Sequence, residues 1–205
     1  MRAVRLAAAA LCVLGATAAA LLGHDVRSWE RSIARGDAAL ERTPGAARWR
    51  ADALVPGDAA RRLTGLDDDL ELRSAIRAFL VSRRTPRGFD LGERRTRARS
   101  AAEVELSNVA SGAGPRHASL AENLFGVLVH GTGRAAGASS ADARSLAAFE
   151  TAVRLDAANE DAKYNLELLL RRARPGDGRA EPGAGSGPRG TGRRGAGAGR
   201  PGTGY

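Results

Sequence analysis

An all-α chain is what the sequence predicts: an N-terminal transmembrane helix, a small stack of antiparallel helical hairpins, and a disordered C-terminal tail. Three observations predict it. The eighteen residues from Leu6 to Gly23 carry no charge, nearly enough helix to cross a hydrocarbon core at about 1.5 Å per residue. Apolar residues downstream recur at helical spacing, with no alternating run that reads as a strand. The segment Pro175–Tyr205 holds twelve glycines and four prolines and shows no apolar periodicity, so it cannot bury enough surface to offset the entropy of ordering. The chain divides accordingly into a signal-anchor (1–23), a helical membrane-proximal region (24–114), helical hairpins (115–174) and the tail (175–205).

Composition narrows the function before any motif is read. The net charge is +9 and aromatic content only 4%. The positive charge is arginine except for Lys163, alongside abundant Ala and Gly, a bias that a GC-rich genome produces by itself. Charge alone is therefore no sign of nucleic-acid binding. Ala-rich helices have high propensity but little side-chain area, so a thin, closely packed core is expected. The sole cysteine, Cys12, lies in the apolar run and excludes an intrachain disulfide.

Arg2 and Arg5 precede the apolar run, as in a signal peptide or an anchor. Ala16-Thr17-Ala18 and Ala18-Ala19-Ala20 fit the small-residue pattern of a cleavage site, but the run continues apolar through Leu21 and Leu22, which favours an uncleaved anchor. Leu11 before Cys12 disfavours a lipoprotein site. The short N-terminal tail is expected to stay in the cytoplasm, and long following regions cross largely regardless of charge, so residues 24–205 are expected outside it.

Val26, Trp29, Ile33 and Leu40 predict an amphipathic helix over about Asp25–Arg42, ended by Thr43-Pro44-Gly45. A short segment with Trp49 and Leu54 follows, then a turn with Asp58 capping a short helix that ends at Gly65. Leu72, Ile76, Phe79 and Leu80 mark a helix over about Asp68–Arg84, stopped by Pro86 and Gly88. Its opening triplet Asp67-Asp68-Asp69 has the chemistry of a hard-cation ligand. Helix capping is the simpler assignment, because carboxylates suit the free amides and positive end of a helix. Arg94, Arg95, Arg97 and Arg99 open the next helix, whose apolar face is Ala98, Ala102, Leu106 and Val109. Glu93, Glu103 and Glu105 offset these arginines, and no aromatic residues interleave as a base-stacking platform would need.

From Pro115 three amphipathic stripes follow: Leu120, Leu124, Val127, Leu128; Leu146, Phe149, Ala152, Val153; and Ala162, Leu166, Leu169, Leu170. Asn123-Leu124 recurs as Asn165-Leu166 after 42 residues. A helix-pair repeat has a period of about 34, so an insertion is expected in the Gly/Ser-rich stretch Gly131–Ser140. Asn159 is expected to cap the last helix, and Ala152 to permit close helix approach.

Phe149, Ala152, Leu155 and Asp156, with Ala162, Tyr164, Asn165 and Leu166, resemble the seam between two tetratricopeptide repeats. Ala157, Ser145 and Glu167 depart from that pattern. The resemblance covers about residues 117–173 and implies a tetratricopeptide-like protein-docking stack with Asn123 and Asn165 on the groove-lining face as partner-binding residues. The whole chain, with its leader, the Trp49–Asp69 segment and the Arg/Gly tail, resembles actinobacterial membrane proteins that accompany MoxR-type ATPases and von Willebrand factor A domain proteins. This implies such a protein as partner.

No catalytic constellation is legible. His24, His117 and His130 have no partner at metal-ligand spacing, and Ser139-Ser140 reads as a loop and cap. The predicted function is a membrane-anchored scaffold or adaptor at the cell membrane, without catalytic activity, cofactor or metal. A different class remains open, a cationic protein holding anionic lipid or cell-envelope polymer through the Arg-rich helix and tail.

Overall fold

The computed structural model describes residues 2–56, 59–84, 92–136 and 138–173, with side chains described outside 132–139. The elements in order are α1 (Arg2–Arg42), a 3-10 turn (Pro44–Ala46), α2 (Ala59–Thr64), α3 (Leu66–Arg84), α4 (Gly92–Gly112), α5 (Pro115–Ala136), α6 (Ala138–Leu155) and α7 (Glu160–Ala173). No strand occurs among the described residues. The positions expected for the Asp58 cap, the Pro86 and Gly88 stop and the tail lie outside them.

The expected span and the membrane-proximal helix are one continuous 41-residue helix. Gly23 is an unfavourable helix residue by about 1 kcal/mol relative to Ala, but no proline or competing cap stands between it and Asp25, so the hydrogen-bond ladder runs through. The apolar part is long and apolar enough to cross a membrane, and its 18-residue window has none of its residues buried against the rest of the chain. Burial begins where the apolar run stops: Asp25, Trp29, Ser32 and Gly36 form the covered stripe.

Residues 47–55 cover that stripe, running antiparallel to α1. Trp49 Nε1 donates to Asp37 Oδ1 (2.9 Å), Ser32 Oγ donates to the Arg50 carbonyl (2.7 Å), and the Leu54 and Val55 amides donate to the two carboxylate oxygens of Asp25 (2.8 and 2.9 Å). The segment thus descends along α1 toward the apolar run. After α2, Gly65 adopts φ +66°, a conformation open to glycine at little cost, and α3 starts back in the opposite sense. Arg73 reaches Asp37 (3.1 Å) and Arg84 the Arg42 carbonyl (3.2 Å), fastening α3 alongside α1.

The acidic triplet occupies the first turn of α3 rather than its cap. Asp67 pairs with Arg61 (2.7 Å), Asp68 accepts the Gly114 amide (3.4 Å), and Asp69 meets His117 Nε2 (3.1 Å). The charges suit the positive helix end and tie α3 to the start of α5. No cluster of three or more His, Cys, Asp or Glu side chains with metal-binding geometry occurs among the described residues.

One core joins three helices: Leu72, Ala75 and Phe79 of α3, Ala102, Leu106 and Val109 of α4, Ala121 and Leu128 of α5. The stripes read from sequence on α3 and α4 are those faces, with Ile76 and Leu80 at the margin. The Gly114–Asp68 bond brings the end of α4 to the start of α3, so α4 opposes α3, and the Asp69–His117 contact starts α5 at the same end as α3. Ser119 meets Ala152, Gly126 meets Phe149 and His130 meets Asp142, so α6 opposes α5. Alternate helices are therefore parallel and successive ones opposed.

The stretch Gly131–Ser140 is not the inserted loop that the 42-residue offset suggested. α5 continues to Ala136 and α6 begins at Ala138, so Ser139 and Ser140 sit in the first turn of α6. Ala135, Ala136, Ala138 and Ala141 have the highest helix propensity available, which offsets the scattered glycines.

Candidate interaction surface

α5 carries small or polar residues where α6 and α7 approach it, and this composition sets the geometry of the C-terminal stack. Ser119, Asn123 and Gly126 are all buried. A methyl group on Gly126 would lie 2.5 Å from the Phe149 ring, a separation that real Cβ contacts do not reach. Phe149 is therefore seated in the space left by a missing side chain. Helical spacing identified Phe149 as apolar, but no periodicity analysis pairs it with a glycine on another helix.

Three polar contacts step along α5 and fix α7 beside it. Asn159 Nδ2 donates to Ser119 Oγ (2.9 Å), which itself donates to the Ala152 carbonyl (2.7 Å). Asn159 Oδ1 accepts the Ala162 amide (3.1 Å). The expected cap is thus observed, and its second arm locks the cap to α5 and α6. Asn165 Nδ2 donates to Asn123 Oδ1 (2.9 Å), and Arg172 contacts His130 Nε2 (3.2 Å). Partners separated by 40, 42 and 42 positions require that α7 lie parallel to α5.

The two asparagines named from sequence are therefore brought together and bonded to each other. Asn123 is 5% exposed, so its amide is committed to the seam between helices and presents little to a partner. The recurrence of Asn-Leu after 42 residues singles out the pair. That two equivalent asparagines would face one another, rather than line up along an open groove, follows only from α5 and α7 being direct neighbours.

Beyond the asparagines, the last turns of α5 and α7 and the first turns of α6 enclose an apolar groove of about 220 Å³, lined by His130, Asp142, Ala143, Leu146, Leu169, Arg172 and Ala173. His130 Nδ1 faces Asp142 (3.1 Å) while its Nε2 faces Arg172. An Nδ1–H tautomer satisfies both contacts, donating to the carboxylate and accepting from the guanidinium. Asp142 and Asp69 are distant in sequence from His130 and His117, so spacing does not pair them. In space, each histidine is a cross-helix tie.

No protein-family model, curated protein or solved structure matches this chain.

Outside the groove, α7 leaves Tyr164 65%, Leu168 37% and Leu170 44% exposed. Leu170 falls off the buried stripe to which its spacing assigned it, because α7 is covered on one side only. Glu122, one residue before Asn123, is half-buried, and desolvation pushes its carboxyl above the usual range. A carboxylate raised in the folded state weakens folding once ionised and ceases to do so as pH falls below its ordinary value. Glu122→Gln is accordingly expected to melt at a higher temperature than the parent at pH 7, with the gain vanishing near pH 4. Thermal melts of both proteins across that range check it.

Two of the four arginines of the basic patch on α4 are paired along their own helix. Arg97 bonds Glu93, and Arg99 bonds Glu103 (2.9 Å). Arg94 and Arg95 are exposed. Such i,i+4 pairs contribute about 0.3–0.5 kcal/mol each, and they lower the local field available to an anionic polymer.

Proposed function

We propose that this chain is a membrane-anchored protein-interaction module, a scaffold or adaptor without catalytic activity, in which a short tetratricopeptide-like stack is held against a bilayer by the apolar half of α1. The observation that carries the reading is the order of the helices: α3, α5 and α7 run one way and α4 and α6 the other, each packed on its sequence neighbours. In repeat stacks each unit contacts only its neighbours and the end unit carries an exposed face. Here that end is α7 with its apolar groove and its uncovered Tyr164 and Leu168. In this reading, Asn123 and Asn165 set the spacing of the groove, and a partner segment docks in it. The partner best suited to the chain's resemblance is a MoxR-type ATPase or a von Willebrand factor A domain protein. The soluble region lies outside the cytoplasm, and the uninterrupted helix through Ala20 to Asp25 supports an anchor that stays attached.

The cationic-surface reading is disfavoured by the acid–base pairing on α4. Crosslinking in native membranes, followed by identification of the captured proteins, separates the two. Docking in an apolar groove predicts a captured protein that persists at 0.5 M salt and after deletion of residues 175–205, whereas electrostatic binding is screened over about 10 Å already at 0.1 M salt. Loss of all capture under both treatments would refute the scaffold.

A further inference from the structure

The folded region has a tip that faces the apolar run of α1. Residues 47–55 descend along α1 from Asp37 to Asp25, α2 packs against α1 after them, and α3 then leads away beside Asp37 and Arg42. The end of this descent is fixed rather than loosely placed, because the Asp25 carboxylate, 1% exposed, accepts both the Leu54 and the Val55 amides. Asp25 stands two residues beyond Gly23, the last residue of the uncharged run, which is about 3 Å along a helix axis. The polar headgroup layer outside the hydrocarbon is several ångströms thick on each side, since about 30 Å of core becomes about 40–45 Å with both layers. Anything held at the level of Asp25 therefore lies within the headgroup layer once α1 spans a membrane.

That tip presents apolar side chains to its surroundings. Leu63, on α2, is 75% exposed and Leu54 is 57% exposed, and next to Leu63 the Arg62 side chain is also exposed. Arg27 is exposed on α1 half a turn past Asp25. Exposed leucines with arginines nearby suit an interfacial surface, with the leucines among acyl-chain ends and the guanidinium groups near phosphates.

We propose that the tip carrying Leu54, at the end of the segment held on Asp25, and Leu63, on α2, is a second membrane contact, in which these two leucines insert into the headgroup region of a phospholipid bilayer beside the anchor. The contact rests on the anchor reading of α1. It would fix the tilt of the folded stack relative to the membrane plane, since a single helix leaves rotation and tilt open and two contacts do not.

The test uses the full chain with Cys12→Ser, reconstituted in vesicles of phosphatidylcholine and phosphatidylglycerol. Single cysteines replace Leu54, Leu63, Leu14 in the apolar run, or Val104, an exposed apolar residue on α4, and each carries an environment-sensitive fluorophore. The expected result is a blue-shifted emission at positions 54 and 63, with quenching by shallow spin-labelled lipid at least threefold stronger than at 104. If positions 54 and 63 behave like 104 while position 14 is lipid-embedded, the second contact is refuted and the anchor stands. If position 14 also reports water, the anchor reading fails and the second contact with it.

Discussion

Gly36→Ala is expected to loosen the segment 47–55 from α1 and to lower stability, although the same change inside an isolated helix would raise it. The added methyl would fall inside the contact distance of Trp49 Cδ1 and Nε1 and would stand 2.9 Å from the Arg48 carbonyl oxygen. The ring has some freedom to turn, but the carbonyl belongs to the backbone that the Ser32 and Asp25 bonds hold in place. Overpacking of this kind costs about 1–3 kcal/mol, and displacing Trp49 from Asp37 forfeits a hydrogen bond of about 1 kcal/mol. The propensity gain from removing a helical glycine is about 1 kcal/mol. Steric conflict wins, leaving a net loss of about 1–3 kcal/mol. Denaturant melts of the detergent-solubilised protein, followed by tryptophan emission, measure it. A variant more stable than the parent would mean that the segment is not seated on α1.

The second large effect is expected from Asn159→Ala. The change removes the acceptor that caps α7, worth about 0.5–2 kcal/mol, and the donor to buried Ser119, worth about 1 kcal/mol, for a total of about 1.5–3 kcal/mol. Asn159→Asp keeps the capping oxygen and loses the donor, so it should fall between the parent and the alanine variant. Asn165→Ala, at a half-buried position, should lose only about 1 kcal/mol. Chemical denaturation of the three variants gives the ranking. Equal losses at Asn159 and Asn165 would contradict the role given to the Ser119 tie.

Asp25 yields a prediction in pH. The Leu54 and Val55 amides hold its carboxyl below the usual carboxylate range, so its contribution is present above that range and is lost as pH falls through the lowered value. Asparagine offers one acceptor oxygen where two amides are satisfied by two. Asp25→Asn should therefore be less stable than the parent at pH 7, and the two should converge under strongly acidic conditions. A constant difference at every pH would show that the charge on Asp25 is irrelevant.

How far these features were legible depended on whether the signal was local. The helices α3, α4, α6 and α7 follow from apolar spacing and caps, and Asn159 was identifiable as a cap because the amide it serves is three residues away. At Gly23–Asp25 hydropathy changes while helical hydrogen bonding does not, so the continuity of α1 is not legible from apolar patterning. In Gly131–Ser140 glycine and serine suggest a loop, whereas helix continues to Ala136 and resumes at Ala138 among interleaved alanines. Asp25, Gly36 and Gly126 carried no local signal. Each matters through a partner on another segment: the Leu54 amide, the Trp49 ring and the Phe149 ring. Asn123 and Asn165 lie between these extremes, singled out by the recurrence of Asn-Leu yet given their neighbours only by the fold.

Site-specific photocrosslinking is the most direct measurement of the claim that the C-terminal stack docks a protein at the membrane. A photoreactive amino acid at Ala143, which is exposed and lines the groove, should give a discrete protein adduct in native membranes. The same group at Glu105 on α4 should not. Equal adducts from both positions, or none from Ala143 while the protein remains folded in the membrane, would contradict the account.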